Sequence, residues 1–173
     1  PKEVSIISEE HSFVRLSDGT VFCVFRTVSG HPYCAYSYDD CHTFTEPVPM
    51  TYANGRVFKH PRAANFIWKC ENGKYLYWFH NHGGKSYDGR NPVFLCGAWE
   101  VKKNGRRALE FGNPKIVLYD DDPKIRMSYP DLIEDDGEYY LTETQKEIAR
   151  VHHVDKELIE SLWQEKEFGG WQD

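Results

Sequence analysis

Seven residues past each of three glycines the chain places a polar side chain: Arg26 after Gly19, His80 after Gly73, and Thr144, with Glu143 beside it, after Gly137. Tyr129 and Asp131 stand just ahead of the last of these stretches, and His60 and Arg62 ahead of the second. Arginine grips carboxylates through two parallel N–H bonds. A carboxyl group, or a tyrosine beside one, serves as acid, base or nucleophile. Tyr129, Asp131 and Glu143 are therefore the candidate catalytic residues. Arg26, Arg62, His80, Arg90 and Arg126 are the candidate substrate-binding residues, and together they suit an acidic small molecule. Each has a structural alternative. Strand-end arginines pair with acids on neighbouring elements, a tyrosine before proline anchors a strand, and Trp78 and Trp99 are platforms for sugars only if they are not core.

Three similar stretches must position these groups, at residues 12–27, 64–81 and 130–145. Each reads as a short apolar strand, a tight turn closed by glycine, and an aromatic-rich second strand. The turn glycines recur with periods of 54 and 64 residues. This repetition predicts an all-β chain: one partial β-propeller over residues 1–173, with four-stranded blades near 9–52, 60–119 and 126–163. Residues 4–7 read as a strand fragment. Residues 108–111 and 116–119 read as two separate strands. Asp155 reads as the N-cap of a short helix over 156–163, with Leu158, Ile159 and Leu162 on one face. The tail after it is polar and glycine-rich. In a propeller the first strand of each blade lines the axis, so the starts of first strands and the ends of second strands collect on one face. That topology places Arg26, His60, Arg62, His80, Arg126, Tyr129, Asp131 and Glu143 together. The loop 81–91, carrying His82 and Arg90, joins them.

Composition narrows the partners. The net charge is -6 with scattered lysines and arginines, which argues against nucleic acid. No apolar run is long enough to span a membrane as a helix. The five cysteines follow neither a disulfide framework nor a CxxC metal pattern, and read as small buried strand residues. Gly83-Gly84-Lys85-Ser86 lacks the first glycine and spacing of a phosphate loop. Asp120-Asp121-Asp122 lacks the alternation of a calcium loop and reads as a solvated turn. His60, His80 and His82 are the only zinc set worth naming. No cofactor or metal is expected. The chain begins with Pro1 and shows no leader, so it reads as a processed protein or as a piece of a longer one.

Residues 37–44, Ser-Tyr-Asp-Asp-Cys-His-Thr-Phe, resemble the Asp box of the sialidase (BNR-repeat) superfamily, Ser-x-Asp-x-Gly-x-Thr-Trp. Ser37, Asp39 and Thr43 match, Phe44 stands for Trp, and Cys41 stands where Gly is expected. A Cβ there costs roughly 1–2 kcal/mol if φ is positive. The Asp in such a turn accepts backbone N–H bonds and is structural. With residues 25–27 and 126–146, the resemblance covers most of the chain to about Asp155. It implies a six-bladed propeller, and exo-sialidases of this kind use an arginine triad, a Tyr–Glu nucleophile pair and an Asp acid. By resemblance, Arg26 is a carboxylate-binding arginine and Tyr129 with Glu143 the nucleophile pair. The Arg-Ile-Pro element is absent, and three blades cannot close a ring. The remaining blades belong to the parent chain or to another subunit.

Hydrolysis of a terminal, acidic sugar of a glycan, outside the cell or in a periplasm, is the reading these residues favour. Two alternatives stay open. The uronate-cleaving propeller lyases are similar in pairing two histidines, here His60 and His80, with a tyrosine, here Tyr129. A non-catalytic carbohydrate-binding propeller would show exposed aromatics and no cluster of titratable groups.

Overall fold

The computed structural model describes residues 6–164. The readings on residues 1–5 and 165–173 lie outside them. The first sheet consists of β1 (Glu9–Arg15), β2 (Val21–Arg26), β3 (Tyr33–Ser37) and β4 (Val48–Pro49), in that spatial order. The second is β5 (Phe66–Lys69), β6 (Tyr75–Phe79), β7 (Val93–Lys103) and β8 (Arg106–Leu118), again in order. The third is β9 (Ser128–Asp135), β10 (Glu138–Gln145) and β11 (Ile148–Val154), followed by α1 (Lys156–Ser161). All pairings are antiparallel. The chain is thus all-β, built of successive propeller-type blades. The third sheet has three strands among the described residues instead of four, and β8 is one long strand where two were expected.

The strand period of two explains the packing. On β6, Tyr75, Tyr77 and Phe79 enter the core shared with Phe22, Val24, Phe58 and Phe111. Leu76 and Trp78, on its other face, enter a second core with Leu95, Trp99, Leu141, Ile159 and Trp163. The middle sheet is therefore buried on both faces, and Trp78 and Trp99 are core, not sugar platforms. Burial of four of the cysteines accompanies this packing, with Cys41 exposed.

Two of the three turns share one geometry. The Leu16 N–H bonds the Thr20 carbonyl at 2.7 Å and Cys70 bonds Lys74 at 2.8 Å, with Gly19 at φ +87° and Gly73 at φ +77°. The third turn has two residues, Asp136 (φ 49°) and Gly137 (φ 76°), between paired Asp135 and Glu138. The first strands of the sheets stand side by side. The Ile67 N–H donates to Ser12 Oγ at 3.1 Å, and Phe66 meets Tyr129 edge to face at 6.5 Å.

In the turn at 37–44, Asp39 accepts the Thr43 N–H at 2.9 Å, the Thr43 hydroxyl at 2.6 Å and the Ser37 hydroxyl at 2.9 Å. These bonds, those from Thr43 first, pull its carboxyl down to about 2. Cys41 does adopt a positive φ, 67°, beside Asp40 at 59°.

The helix closes the third sheet onto the second. Asp155 caps it by accepting the Glu157 N–H at 2.8 Å. Its last turn delivers Trp163, whose indole N–H donates to the Tyr75 carbonyl at 2.8 Å. Gly97 lies directly beneath: a Cβ there would collide with the Leu162 carbonyl and the Trp163 ring. Gly97→Ala should therefore lower unfolding free energy by about 1–3 kcal/mol, read as a lower denaturant midpoint at unchanged slope. The Asp39 turn gives a pH test. A carboxyl depressed from 3.8 to about 2 contributes stability above pH 3.8 that is lost as pH falls toward 2. The difference in midpoint between wild type and Asp39→Asn should shrink across that window. A constant difference would show that the charge is not what Asp39 supplies.

Candidate functional site

Two irregularities of the sheets create the site. Pairing of β1 with β2 slips between Glu9 and Ser12, and Glu10 sits at φ 52°. Pairing of β9 with β10 slips between Thr142 and Thr144, and Tyr129, opposite that slip, sits at φ 48°. Positive φ is uncommon outside glycine, and bulges re-aim side chains. Here the result is one contact between the first and third sheets: the Tyr129 phenol donates to Glu10 Oε1 at 2.7 Å. This bond, first of all, raises the phenol above its ordinary 10; the opposing pull of Arg26 and Arg90 is weaker.

Around this pair stand three arginines from three places in the chain. Arg26 ends β2 and reaches Glu9 at 3.0 Å and Glu10 at 2.7 Å. Arg62, ahead of β5, grips Glu9 with two bonds of 3.0 and 2.7 Å. That grip, chiefly, holds the Glu9 carboxyl below its ordinary value. Arg90 comes from the loop 81–91. Its Nε donates to the Tyr87 carbonyl at 2.9 Å and its Nη1 to Ser128 Oγ at 2.6 Å. Both acceptors are neutral. Burial works against its charge, but a guanidinium remains a cation. Among the described residues no carboxylate lies within ion-pair distance of Arg90. The Tyr87 ring lies over the guanidiniums of Arg62 (4.8 Å) and Arg26 (5.6 Å).

The expected residues divide accordingly. Arg26, Arg62, Arg90 and Tyr129 meet in this cluster. Arg126 lies at its edge, ion-paired with Asp88 of the loop. Asp131 is exposed on β9, two residues along from Tyr129, with Oδ1 accepting the Leu132 N–H at 2.9 Å. Glu143 is elsewhere: it shares the inward parity of Tyr139 and Leu141 on β10, is fully buried, and faces Arg150 and His152, each at 3.2 Å. The phenol's partner is Glu10, not Glu143. His80 is 1% exposed, as is His60. The His80 N–H donates to His60 Nδ1 at 3.1 Å, His60 Nε2 bonds the Ala63 carbonyl at 2.6 Å, and His80 Nδ1 the Pro92 carbonyl at 3.1 Å. Burial pushes the two rings down to about 3 and about 4, so both are neutral. Expected as a substrate contact, His80 is instead sealed in the core. The histidine pair that a lyase would need is locked to the backbone. Among the described residues, no three His, Cys, Asp or Glu side chains are grouped to hold a metal.

Glu9, Glu10 and Tyr87 did not emerge as site residues from the sequence. Position alone could have flagged Glu9, which opens β1 as Tyr129 stands at the start of β9; the bulge that turns Glu10 to the same place has no such signal.

No family model matches the chain, and no curated protein matches it by sequence. Solved structures match it in fold. An intramolecular trans-sialidase from Ruminococcus gnavus, bound to oseltamivir carboxylate, aligns with 86% of this chain at 19% identity and a TM-score of 0.58. A leech intramolecular trans-sialidase bound to 2,7-anhydro-Neu5Ac aligns with 86% at 19% identity and a TM-score of 0.57. The chain spans 32% and 22% of the lengths of these proteins. The likeness is one of fold, and it supports the blade architecture.

The Tyr129–Glu10 bond carries its own test. Glu10→Gln removes the negative charge that holds the phenol proton, so the Tyr129 pKa should fall toward its ordinary 10. With 11 tyrosines present, the Tyr129 signal is the tyrosinate absorbance titration of each protein minus that of its Tyr129→Phe counterpart. An unmoved curve would remove Glu10 as the controlling group.

Proposed function

We propose that this chain is part of a glycoside hydrolase that releases a terminal, acidic sugar through a double displacement on Tyr129. The observation that carries the reading is a tyrosine bonded to a carboxyl group beside Arg90, a half-buried cation that lacks a carboxylate partner. Three guanidiniums, Arg26, Arg62 and Arg90, face two carboxyl groups, Glu9 and Glu10. The excess of one positive charge suits a monoanionic sugar, its carboxylate held by Arg90.

The roles follow from the chemistry. The Tyr129 oxygen attacks the anomeric carbon as its proton passes to Glu10, and the bond to the leaving oxygen breaks. The leaving oxygen takes a proton from an acid, for which Asp131, exposed further along β9, is the candidate in this chain. Water then attacks the same carbon as its bond to the Tyr129 oxygen breaks, the deprotonated acid takes the water's proton, and the released phenolate recovers its own from Glu10. A neutral phenol is the appropriate nucleophile where the carbon bears a carboxylate, because an anionic nucleophile would meet a like charge. For that reason the finer reading is a sialidase-like one, with the carboxylate on the anomeric carbon. The relation in fold to proteins bound to 2,7-anhydro-Neu5Ac and oseltamivir carboxylate supports it.

Further blades complete the ring in this reading. The outer face of the first sheet leaves an apolar groove lined by His11, Phe13, Phe25, Phe44 and Pro47, which a preceding blade would cover. A secreted or periplasmic setting accords with a glycan substrate. Among the described residues no helix is long and apolar enough to cross a membrane.

In the full-length protein, Tyr129→Phe and Glu10→Gln should each lower kcat on an acidic aryl glycoside by about 10²–10⁴-fold. The first-formed sugar anomer, followed by NMR, should retain configuration. Asp131→Asn should slow substrates with poor leaving groups far more than activated ones. Wild-type turnover by Tyr129→Phe would sink the reading.

A further inference from the structure

The loop 81–91 holds Arg90 and Tyr87 in place, and its centre is a histidine that the proposed chemistry does not use. His82 bridges the two limbs of the loop. The Gly84 N–H donates to His82 Nδ1 at 3.1 Å, and His82 Nε2 bonds the Gly89 carbonyl at 2.6 Å. One protonation state satisfies both bonds: the neutral ring with its hydrogen on Nε2. The Gly89 carbonyl belongs to the peptide unit whose nitrogen is that of Arg90. Fixing it therefore fixes the direction in which the Arg90 side chain leaves the loop.

Two glycines are shaped to this ring. A Cβ on Gly84 would lie 2.9 Å from His82 Nδ1, and one on Gly89 (φ +73°) 2.5 Å from Nε2. A Cβ on Gly30 (φ +86°) would lie 2.8 Å from the Gly83 carbonyl, so the first sheet also receives the loop closely. Tyr87, 46% exposed, lies within the bridged segment with its ring over Arg62 and Arg26. Asp88 of the same segment is ion-paired with Arg126. A loop rich in glycine would otherwise sample many conformations. The imidazole ties the two limbs of that loop together.

We propose that His82 is a positioning residue: its ring clamps the loop so that Arg90 and Tyr87 form one wall of the acidic-sugar site. The role in substrate binding rests on the proposed function; the clamp itself does not.

The test uses the full-length protein and two variants. His82→Ala removes both bonds, and His82→Gln keeps one donor and one acceptor. Hydrogen exchange reads the clamp directly: the amides of residues 84–90 should exchange faster in His82→Ala, with the melting temperature unchanged. Kinetics read the consequence. On an acidic aryl glycoside KM should rise about tenfold with kcat within about threefold, because the binding wall is loosened while Tyr129 and Glu10 stand on other elements. The KM preference for the free acid over its methyl ester should collapse in parallel, and His82→Gln should recover part of each effect. Unchanged exchange overturns the clamp. Faster exchange with unchanged KM overturns its role in binding. A wild-type protein that neither hydrolyses acidic glycosides nor binds free N-acetylneuraminate by calorimetry sinks the proposed function and with it the binding role, while the exchange result still decides whether His82 holds the loop.

Discussion

Guanidinium groups gathered in one corner repel one another, and the site depends on how that repulsion is offset. Glu9 is the main device. It lies between Arg26 and Arg62 and bonds both, and its carboxyl is held below the ordinary range as a result. The partners are distant in sequence: Glu9 opens β1, Arg26 closes β2, and Arg62 leads into β5. The same ion network that collects positive charge therefore fastens the start of the first sheet to the approach of the second. Taking one partner from such a set leaves another charge half-buried and unmatched, which costs more than the pair contributes.

Backbone conformation supplies what charge alone cannot. A regular ladder would alternate Glu9 and Glu10 to opposite faces of β1. The slip in pairing and the left-handed conformation of Glu10 bring both carboxyl groups to the cluster. Tyr129 repeats the device on β9. Each such residue costs on the order of 1–3 kcal/mol of backbone strain. The strain falls on the two residues that form the bond between the first and third sheets, and that bond plus the arginine contacts offset it.

The blades were legible because their signals are local. A period of two, aromatic second strands and glycine at the turns are properties of adjacent residues, and the helix was announced by Asp155. Propeller topology then placed Arg26, Arg62, Arg90 and Tyr129 on one face, where they meet. The misreadings share a cause, since each depended on a non-local fact. Glu143 was paired with Tyr129 by resemblance, yet its parity on β10 aims it inward with Leu141. His60 and His80 looked like chemistry by residue type, yet their depth leaves them neutral and bonded to backbone groups. Glu10 was missed because a bulge cannot be read from an otherwise alternating strand. The fourth strand of the third sheet was expected by repetition, where the chain instead turns at Asp155 into a helix that covers Gly97.

The contrast between Arg62 and Arg90 shows how one residue type serves two ends in one site. Arg62 is matched by a carboxylate at both ends of its guanidinium fork and has little attraction left for a further anion. Arg90 is held instead by a carbonyl and a hydroxyl, which fix its direction without cancelling its charge. Burial makes that uncancelled charge costly, a cost that an anionic ligand would relieve. Neutral anchoring is thus the condition for a cation to remain available: Arg90 meets a carbonyl and a hydroxyl, while the loop's own acid, Asp88, is paired with Arg126. A carboxylate in the place of Ser128 would hold Arg90 more strongly and would leave the cluster without its unmatched charge.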